Sequence, residues 1–233
     1  MQRKAIIIGA TGLVGQQLVK QLSALYDKVI IIARRPPKYI NASMHYYQLN
    51  DFENLADTFA SIDIDQQTDA FSCLGTTLKL AGSEEAFRQV DYTYNVAYAK
   101  LCLAKGVQQF FLLSALGASA DSRFFYNQVK AETEAAIEQL GFHSLNIFRP
   151  SLLLGKHKGR PMERLSQGLF KIISPVVPES VPAHPITAKR VAIAMAMTAH
   201  QRYERAKFQS NRPEPKTVII DNKQMLAMTR VKK

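Results

Sequence analysis

Apolar and polar positions along the first 150 residues follow two alternating rhythms. Lys4 to Gly9 is an unbroken run dominated by isoleucine, the look of a parallel strand buried on both faces, and Leu13 to Leu25 follows with helical periodicity. Val29 to Ala33 predicts a second buried strand, which Pro36 and Pro37 forbid from continuing. Tyr46 to Leu49 reads as a weaker third strand, Phe52 to Ser61 as a helix, and Ala70 to Gly75 as a fourth strand running into a glycine. Ser83 is placed to cap one long helix through Leu103. Gln109 to Ser114 then predicts a fifth strand, Phe124 to Leu140 a helix stopped by Gly141, and Ser144 to Phe148 a sixth strand.

Strands alternating with helices at this spacing require an α/β fold with a Rossmann-like, doubly wound parallel sheet, whose ligand sits beyond the C-terminal strand ends. After Pro150 the alternation stops. A Gly- and Lys-rich loop, a short helix near Met162 to Ile173, a proline-rich stretch from Pro175 to Pro185, a helix from Thr187 to Ala199, a strand from Thr217 to Ile220 and a terminal helix follow. The expectation is one NAD(P)-binding Rossmann domain over 1–233, with 151–233 forming a small C-terminal lobe on the substrate side.

Composition narrows the class only slightly. The 233 residues are 47% hydrophobic and 21% charged, ordinary for a globular chain that buries its own core. Cys73 and Cys102 fall in apolar runs and read as small buried hydrophobes, which suits a reducing, cytoplasmic setting. The basic opening Met1 to Lys4 ahead of an apolar run resembles a signal peptide, but glycines break that run at once. No stretch approaches the ~18 apolar residues of a membrane span. The formal charge of +11 raises the question of nucleic acid. Lysines and arginines are spread along the chain, with mild concentrations at Lys156 to Arg160 and from Arg202 to Lys233, and no interleaved aromatics accompany them, so a nucleic-acid partner is not expected.

The chemistry concentrates at predicted strand ends. Gly9-Ala10-Thr11-Gly12-Leu13-Val14-Gly15 joins the first strand to the first helix, the setting in which glycines let backbone approach a pyrophosphate at a helix N-terminus. An acidic residue usually ends the second strand when the ribose 2′-OH of NAD is held; this chain has Arg34 and Arg35 there, matched in charge and geometry to the 2′-phosphate of NADP(H). Asp51 could receive the adenine amino group, or cap the helix that starts at Phe52. Tyr126 and Lys130 lie four apart on a predicted helix, hence on one face, after Ser114 at the fifth strand end. A tyrosine of ordinary pKa, ~10, is a poor proton donor and acceptor near neutrality, and a neighbouring ammonium favours its phenolate.

The glycine turn, Ser114 and Tyr126-x-x-x-Lys130 together resemble the short-chain dehydrogenase/reductase superfamily in its atypical branch. Asp51-Phe52-Glu53, Cys73-Leu74-Gly75-Thr76-Thr77, Ser114 to Ala118, Tyr126 to Glu132 and Phe148-Arg149-Pro150 resemble the Tat-interacting oxidoreductase family more closely, over roughly residues 4 to 155. The resemblance implies NADPH binding, Tyr126 as general acid or base, Lys130 on the nicotinamide ribose and Asn95 at a proton-relay position. It also implies that Cys73, Leu74 and Gly75 line the adenosine side and that Pro150, Ser151 and Leu152 meet the nicotinamide. One departure stands out: the family pairs two serines at the fifth strand end, and here Ser114 is followed by Ala115. The expected activity is an NADP(H)-dependent carbonyl reductase or alcohol dehydrogenase acting on a small-molecule carbonyl or alcohol. The alternative is a weakly catalytic or non-catalytic NADP(H)-binding regulatory or scaffold protein. Substrate identity and oligomeric state, a homodimer included, stay open at this level.

Overall fold

The isoleucines of the first strand find apolar cover on both faces, and this sets the layering of the molecule. The computed structural model describes residues 2–155, 181, 183–207 and 216–230. Strand β1 (Lys4–Ile8) leads into α1 (Gly15–Leu22), β2 (Lys28–Ala33) and β3 (Met44–Gln48). A 3₁₀ turn (Phe52–Asn54) and α2 (Leu55–Ala60) return the chain to β4 (Thr68–Ser72). Two short helices, α3 (Leu78–Ala81) and α4 (Glu84–Arg88), a π-helical turn (Gln89–Thr93) and α5 (Tyr94–Ala104) precede β5 (Gln109–Leu113), α6 (Phe125–Glu138) and β6 (Ser144–Arg149). The remainder comprises β7 (Leu153–Leu154), β8 (Ile186–Thr187), α7 (Ala188–Lys207), β9 (Thr217–Asp221) and α8 (Asn222–Met228).

Seven parallel strands form the main sheet in the order β3-β2-β1-β4-β5-β6-β9. The chain winds outward from β1 through β3, then restarts at β4 on the other side of β1, so the crevice where the order reverses opens between the ends of β1 and β4. Side chains of successive strand residues point to opposite faces. Ala5 and Ile7 join the core under α1, α7 and α8, whereas Ile6 and Ile8 join the core under α2, α5 and α6. The α/β, Rossmann-like expectation is therefore met.

One element differs from the sequence reading. The long helix expected from Ser83 to Leu103 is broken: Ser83 does cap α4, but the register widens to a π turn at Gln89–Thr93 before α5 resumes. After Pro150 the described chain builds on the sheet. α7 packs its Val191, Ala192 and Met195 into the core it shares with α1, and β9 pairs with β6 as the seventh strand of the main sheet. The helix near Met162 to Ile173, the basic run at 156–160 and most of the proline-rich stretch lie outside the described residues.

The basic opening is not solvated. Arg3 and Lys4 are buried, with Arg3 against Asp69 and Lys4 bonded to Asp63 and Asp65 at 2.7 and 2.8 Å. Among the described residues, no helix is long and apolar enough to cross a membrane.

Candidate functional site

Glycine chemistry makes the floor of the crevice. Gly9 has φ +73, and a Cβ there would lie 2.3 Å from the carbonyl carbon of Cys73, so the β1 end and the β4 end touch backbone to backbone. A Cβ on Gly15 would meet the Gly9 carbonyl oxygen at 2.1 Å, which lets α1 start directly behind the turn. The first turn of α1 carries no acidic side chain and no side-chain cap, leaving its positive dipole end uncompensated.

Beyond this floor lies a cavity of about 620 Å³. Its walls come from four strand ends and one helix: Gly12, Leu13 and Val14 after β1; Cys73, Leu74, Gly75, Thr76 and Thr77 after β4; Leu113, Ser114, Ala115 and Leu116 at β5; Pro150, Ser151, Leu152 and Leu153 after β6; and Tyr126 and Lys130 from α6. Ala183 and Asp91 complete it. The glycine turn, the serine and the Tyr-x-x-x-Lys pair, separated by about a hundred residues of sequence, thus share one crevice.

Several predicted residues stand outside the lining. Gly9 and Gly15 serve the turn itself, and Thr11 is exposed beside it. Arg34 and Arg35 are exposed just past β2, the strand next to β1, and neither makes an ion pair among the described residues. Asp51 caps the 3₁₀ turn, accepting from the Glu53 N–H at 3.1 Å, and Phe52 stacks on Tyr94 at 4.2 Å between ring centroids. Asn95 is not in the cavity wall. Its side chain accepts from the Ser72 hydroxyl and donates to the carbonyls of Val90 and Asp91 at 3.1 and 3.0 Å, so its bonds are spent on holding the π turn.

The residue that sequence reasoning missed is Asp91. It lies in the π turn, its side chain 0% exposed, and its Oδ1 is 2.7 Å from the Lys130 ammonium. Its other oxygen accepts the Thr76 N–H at 2.8 Å. Spacing could have flagged it, since Phe87, Asp91 and Asn95 recur every four residues along one helix face that also carries Tyr98 and Cys102. Burial alone would pull the Lys130 ammonium down; the charge of Asp91, then that of Tyr126, outweighs this and leaves Lys130 above the ordinary lysine value. The lysine beside Tyr126 is therefore not a free cation, and the net charge it offers the phenol is reduced by its carboxylate partner.

Ser114 bears differently on function. It is 6% exposed, and its hydroxyl has no hydrogen-bond partner among the described residues, although it borders the cavity. A buried hydroxyl left without a partner costs about 1–3 kcal/mol. Ala115 beside it is buried and apolar. Burial pushes the Cys73 thiol up to about 12, with Lys130 opposing, so Cys73 enters the wall as a neutral, unreactive group. Among the described residues no cluster of His, Cys, Asp and Glu is arranged to hold a metal.

A dinucleotide fits these features. Gly12 and Gly75 leave open backbone where a side chain would intrude: a Cβ on Gly75 would come within 3.1 Å of Asp91 Oδ1 and 3.5 Å of Lys130 Nζ. The model of the family described as NAD dependent epimerase/dehydratase matches residues 5–134, which run from β1 into α6. The chain belongs to that family.

Proteins similar to this chain include rat HTATIP2, 37% identical over 179 residues that cover 73% of this chain and 72% of that protein. The mitochondrial protein FMP52-1 of Scheffersomyces stipitis is 33% identical over 205 residues, covering 86% of this chain and 90% of its own. The likeness to HTATIP2 bears out the resemblance to the Tat-interacting family. Among solved structures, a short-chain dehydrogenase/reductase family oxidoreductase from Burkholderia thailandensis superposes with a TM-score of 0.69 at 20% identity, over 97% of this chain and 93% of that one. MoeE5 in complex with UDP-glucose and NAD superposes with a TM-score of 0.65 at 14% identity, over 97% of this chain and 80% of that one. These likenesses show the shared fold.

Proposed function

We propose that this protein is an NADP(H)-dependent oxidoreductase that interconverts a small carbonyl compound and its alcohol. The observation that carries the reading is the Ser114 hydroxyl, buried and without a hydrogen-bond partner among the described residues, in the wall that also holds Tyr126 and Lys130. A nicotinamide bound in the crevice supplies or accepts the hydride. Gly12 to Val14 and the α1 N-terminus would hold the pyrophosphate, and Lys130 the adjoining ribose. Ser114 donates a hydrogen bond to the substrate oxygen, and Tyr126 gives that oxygen its proton in reduction or removes it in oxidation. Leu113, Ala115, Leu116 and Leu152 exclude water around the reacting carbon. Consumption of NADPH with a panel of aldehydes and ketones tests this directly.

The preference for NADPH over NADH rests on Arg34 and Arg35. They follow the β2 end, exposed and with no acidic partner among the described residues, where a 2′-phosphate would find a guanidinium. Arg34→Ala is expected to weaken NADPH binding by about 1.5–3 kcal/mol, the range for a charge-assisted hydrogen bond, and to leave NADH almost unchanged. Calorimetry with both cofactors decides the point, and equal losses would sink it.

A second reading has one observation in its favour. At the end of β5 Ser114 is followed by Ala115, so the substrate oxygen meets one hydroxyl there rather than the two that the family resemblance implies. A protein that binds NADPH tightly and turns over no carbonyl would be a regulatory binder using the same crevice.

A further inference from the structure

Lys130 and Asp91 are the two charged side chains among the described residues of the cavity wall, and both are buried. Nothing in the glycine turn or the Tyr-x-x-x-Lys pattern requires the aspartate. Its placement is nevertheless heavily determined. The π turn shifts the helix register by one residue, a device common at functional sites. The Asp91 carbonyl accepts from the Thr133 hydroxyl of α6 at 3.0 Å and from the Asn95 side-chain amide, also at 3.0 Å. With its backbone pinned from two sides, the carboxylate reaches Lys130 with one oxygen and the Thr76 N–H with the other.

We propose that Asp91 is the positioning residue of this site: its carboxylate keeps Lys130 cationic inside a buried wall and ties the ammonium to the Gly75–Thr76 backbone as one rigid unit. The proposal rests on the reading of the crevice as a dinucleotide site. The physical case is that a lone ammonium in a low-dielectric wall tends to shed its proton, and a buried cation persists only beside a counter-charge. Among the described residues, the titratable groups facing Lys130 are Asp91 from the π turn, Tyr126 and Glu134 from α6, and Cys73 beyond β4. Cys73 is a neutral thiol, and Glu134 is gripped by Arg149, whose Nε donates to its two oxygens at 3.0 and 3.2 Å. Asp91 is left as the carboxylate that serves Lys130.

The test follows Lys130 itself in the ligand-free chain, by NMR of lysines labelled at Cε, with Lys130→Met to assign the signal. In the wild type Lys130 is expected to stay charged beyond about pH 10, the ordinary lysine range. In Asp91→Asn, which keeps the shape and an acceptor for Thr76 but no charge, it is expected to titrate at least about one pH unit lower. NADPH affinity, read by cofactor fluorescence, is then expected to be flat from about pH 6 to 9 in the wild type. In Asp91→Asn it should fall by up to about tenfold per pH unit above the new midpoint, the slope of one titrating group. Asp91→Glu, which restores the charge, should restore the flat profile. Identical Lys130 titrations in wild type and Asp91→Asn would overturn the proposal, as would a loss of NADPH affinity by the same factor at every pH. A wild type that binds no NADPH, or Lys130→Met binding it normally, would sink the cofactor reading instead, and the Lys130 titration would still decide on Asp91. If Asp91→Asn proves too unstable to study, the neutral pair Asp91→Asn with Lys130→Met is expected to regain stability; a double variant as unstable as the single one also overturns the proposal.

Discussion

Tyr126→Phe is expected to bind NADPH within about twofold of the wild type while turnover falls by about 100-fold or more, the usual scale for losing a general acid or base. The structure explains why binding should survive. The Tyr126 ring packs against Phe87 with centroids 5.5 Å apart, and phenylalanine keeps that contact while removing only the hydroxyl. Lys130→Ala should behave differently. It removes the cation beside the cofactor loop and leaves Asp91 buried with its charge uncompensated, so NADPH affinity, turnover and folding stability should all drop. Fluorescence titration and single-turnover oxidation on both variants separate these outcomes. Normal turnover by Tyr126→Phe would end its assignment as the proton donor. Normal NADPH affinity in Lys130→Ala would remove the lysine from the cofactor site.

The second large effect concerns the opposite end of the sheet, where Arg3→Met is expected to destabilise the fold by about 3–5 kcal/mol, the cost of breaking a buried ion pair by removing one partner. The Arg3 guanidinium lies between the rings of Tyr26 and Tyr203, 4.0 and 4.1 Å from their centroids. It donates to Asp69 Oδ2 at 3.2 Å, to the Tyr26 hydroxyl at 3.0 Å and to the Ala199 carbonyl at 2.9 Å, so it ties β1, β4 and α7 together. Methionine fills part of the volume but abandons Asp69 with only the Tyr26 hydroxyl, which donates to it at 2.5 Å. Burial already holds the Asp69 carboxyl above its ordinary value, and losing Arg3 moves it further up. A carboxyl whose folded pKa is raised binds its proton more tightly in the folded state, so the variant should regain stability as pH falls through that raised value, and lose it as pH rises. Urea unfolding at several pH values measures this. A loss under about 1 kcal/mol, or one independent of pH, would show that the cluster is dispensable.

Much of this protein could be read from neighbours in the chain, because the causes are local. A run of isoleucines too apolar to face water on either side becomes a central parallel strand, as at β1 and β2. Gly9 sits at a strand-to-helix junction where only a residue without Cβ fits, and the expected glycine turn stands there. Tyr126 and Lys130, four apart on α6, both reach the cavity because helical geometry places them on one face whatever surrounds them.

What the sequence could not decide were matters settled by partners far along the chain. Phe87 to Cys102 has the periodicity of an uninterrupted helix, and nothing local asks for a π turn. It exists where Thr133 and Lys130 of α6, some forty residues on, capture the backbone and carboxylate of Asp91. The same contacts decided between two polar residues on one helix face: Asn95, the sequence candidate, is spent on Ser72 and the turn's carbonyls, and Asp91 meets the cavity. Arg3 and Lys4 look like the basic start of a signal peptide until Asp69, Tyr203, Asp63 and Asp65 fold around them. Periodicity reports which face a residue occupies, whereas the charge or hydrogen bond waiting on that face is supplied by whichever element packs there, and only the tertiary structure brings that element in.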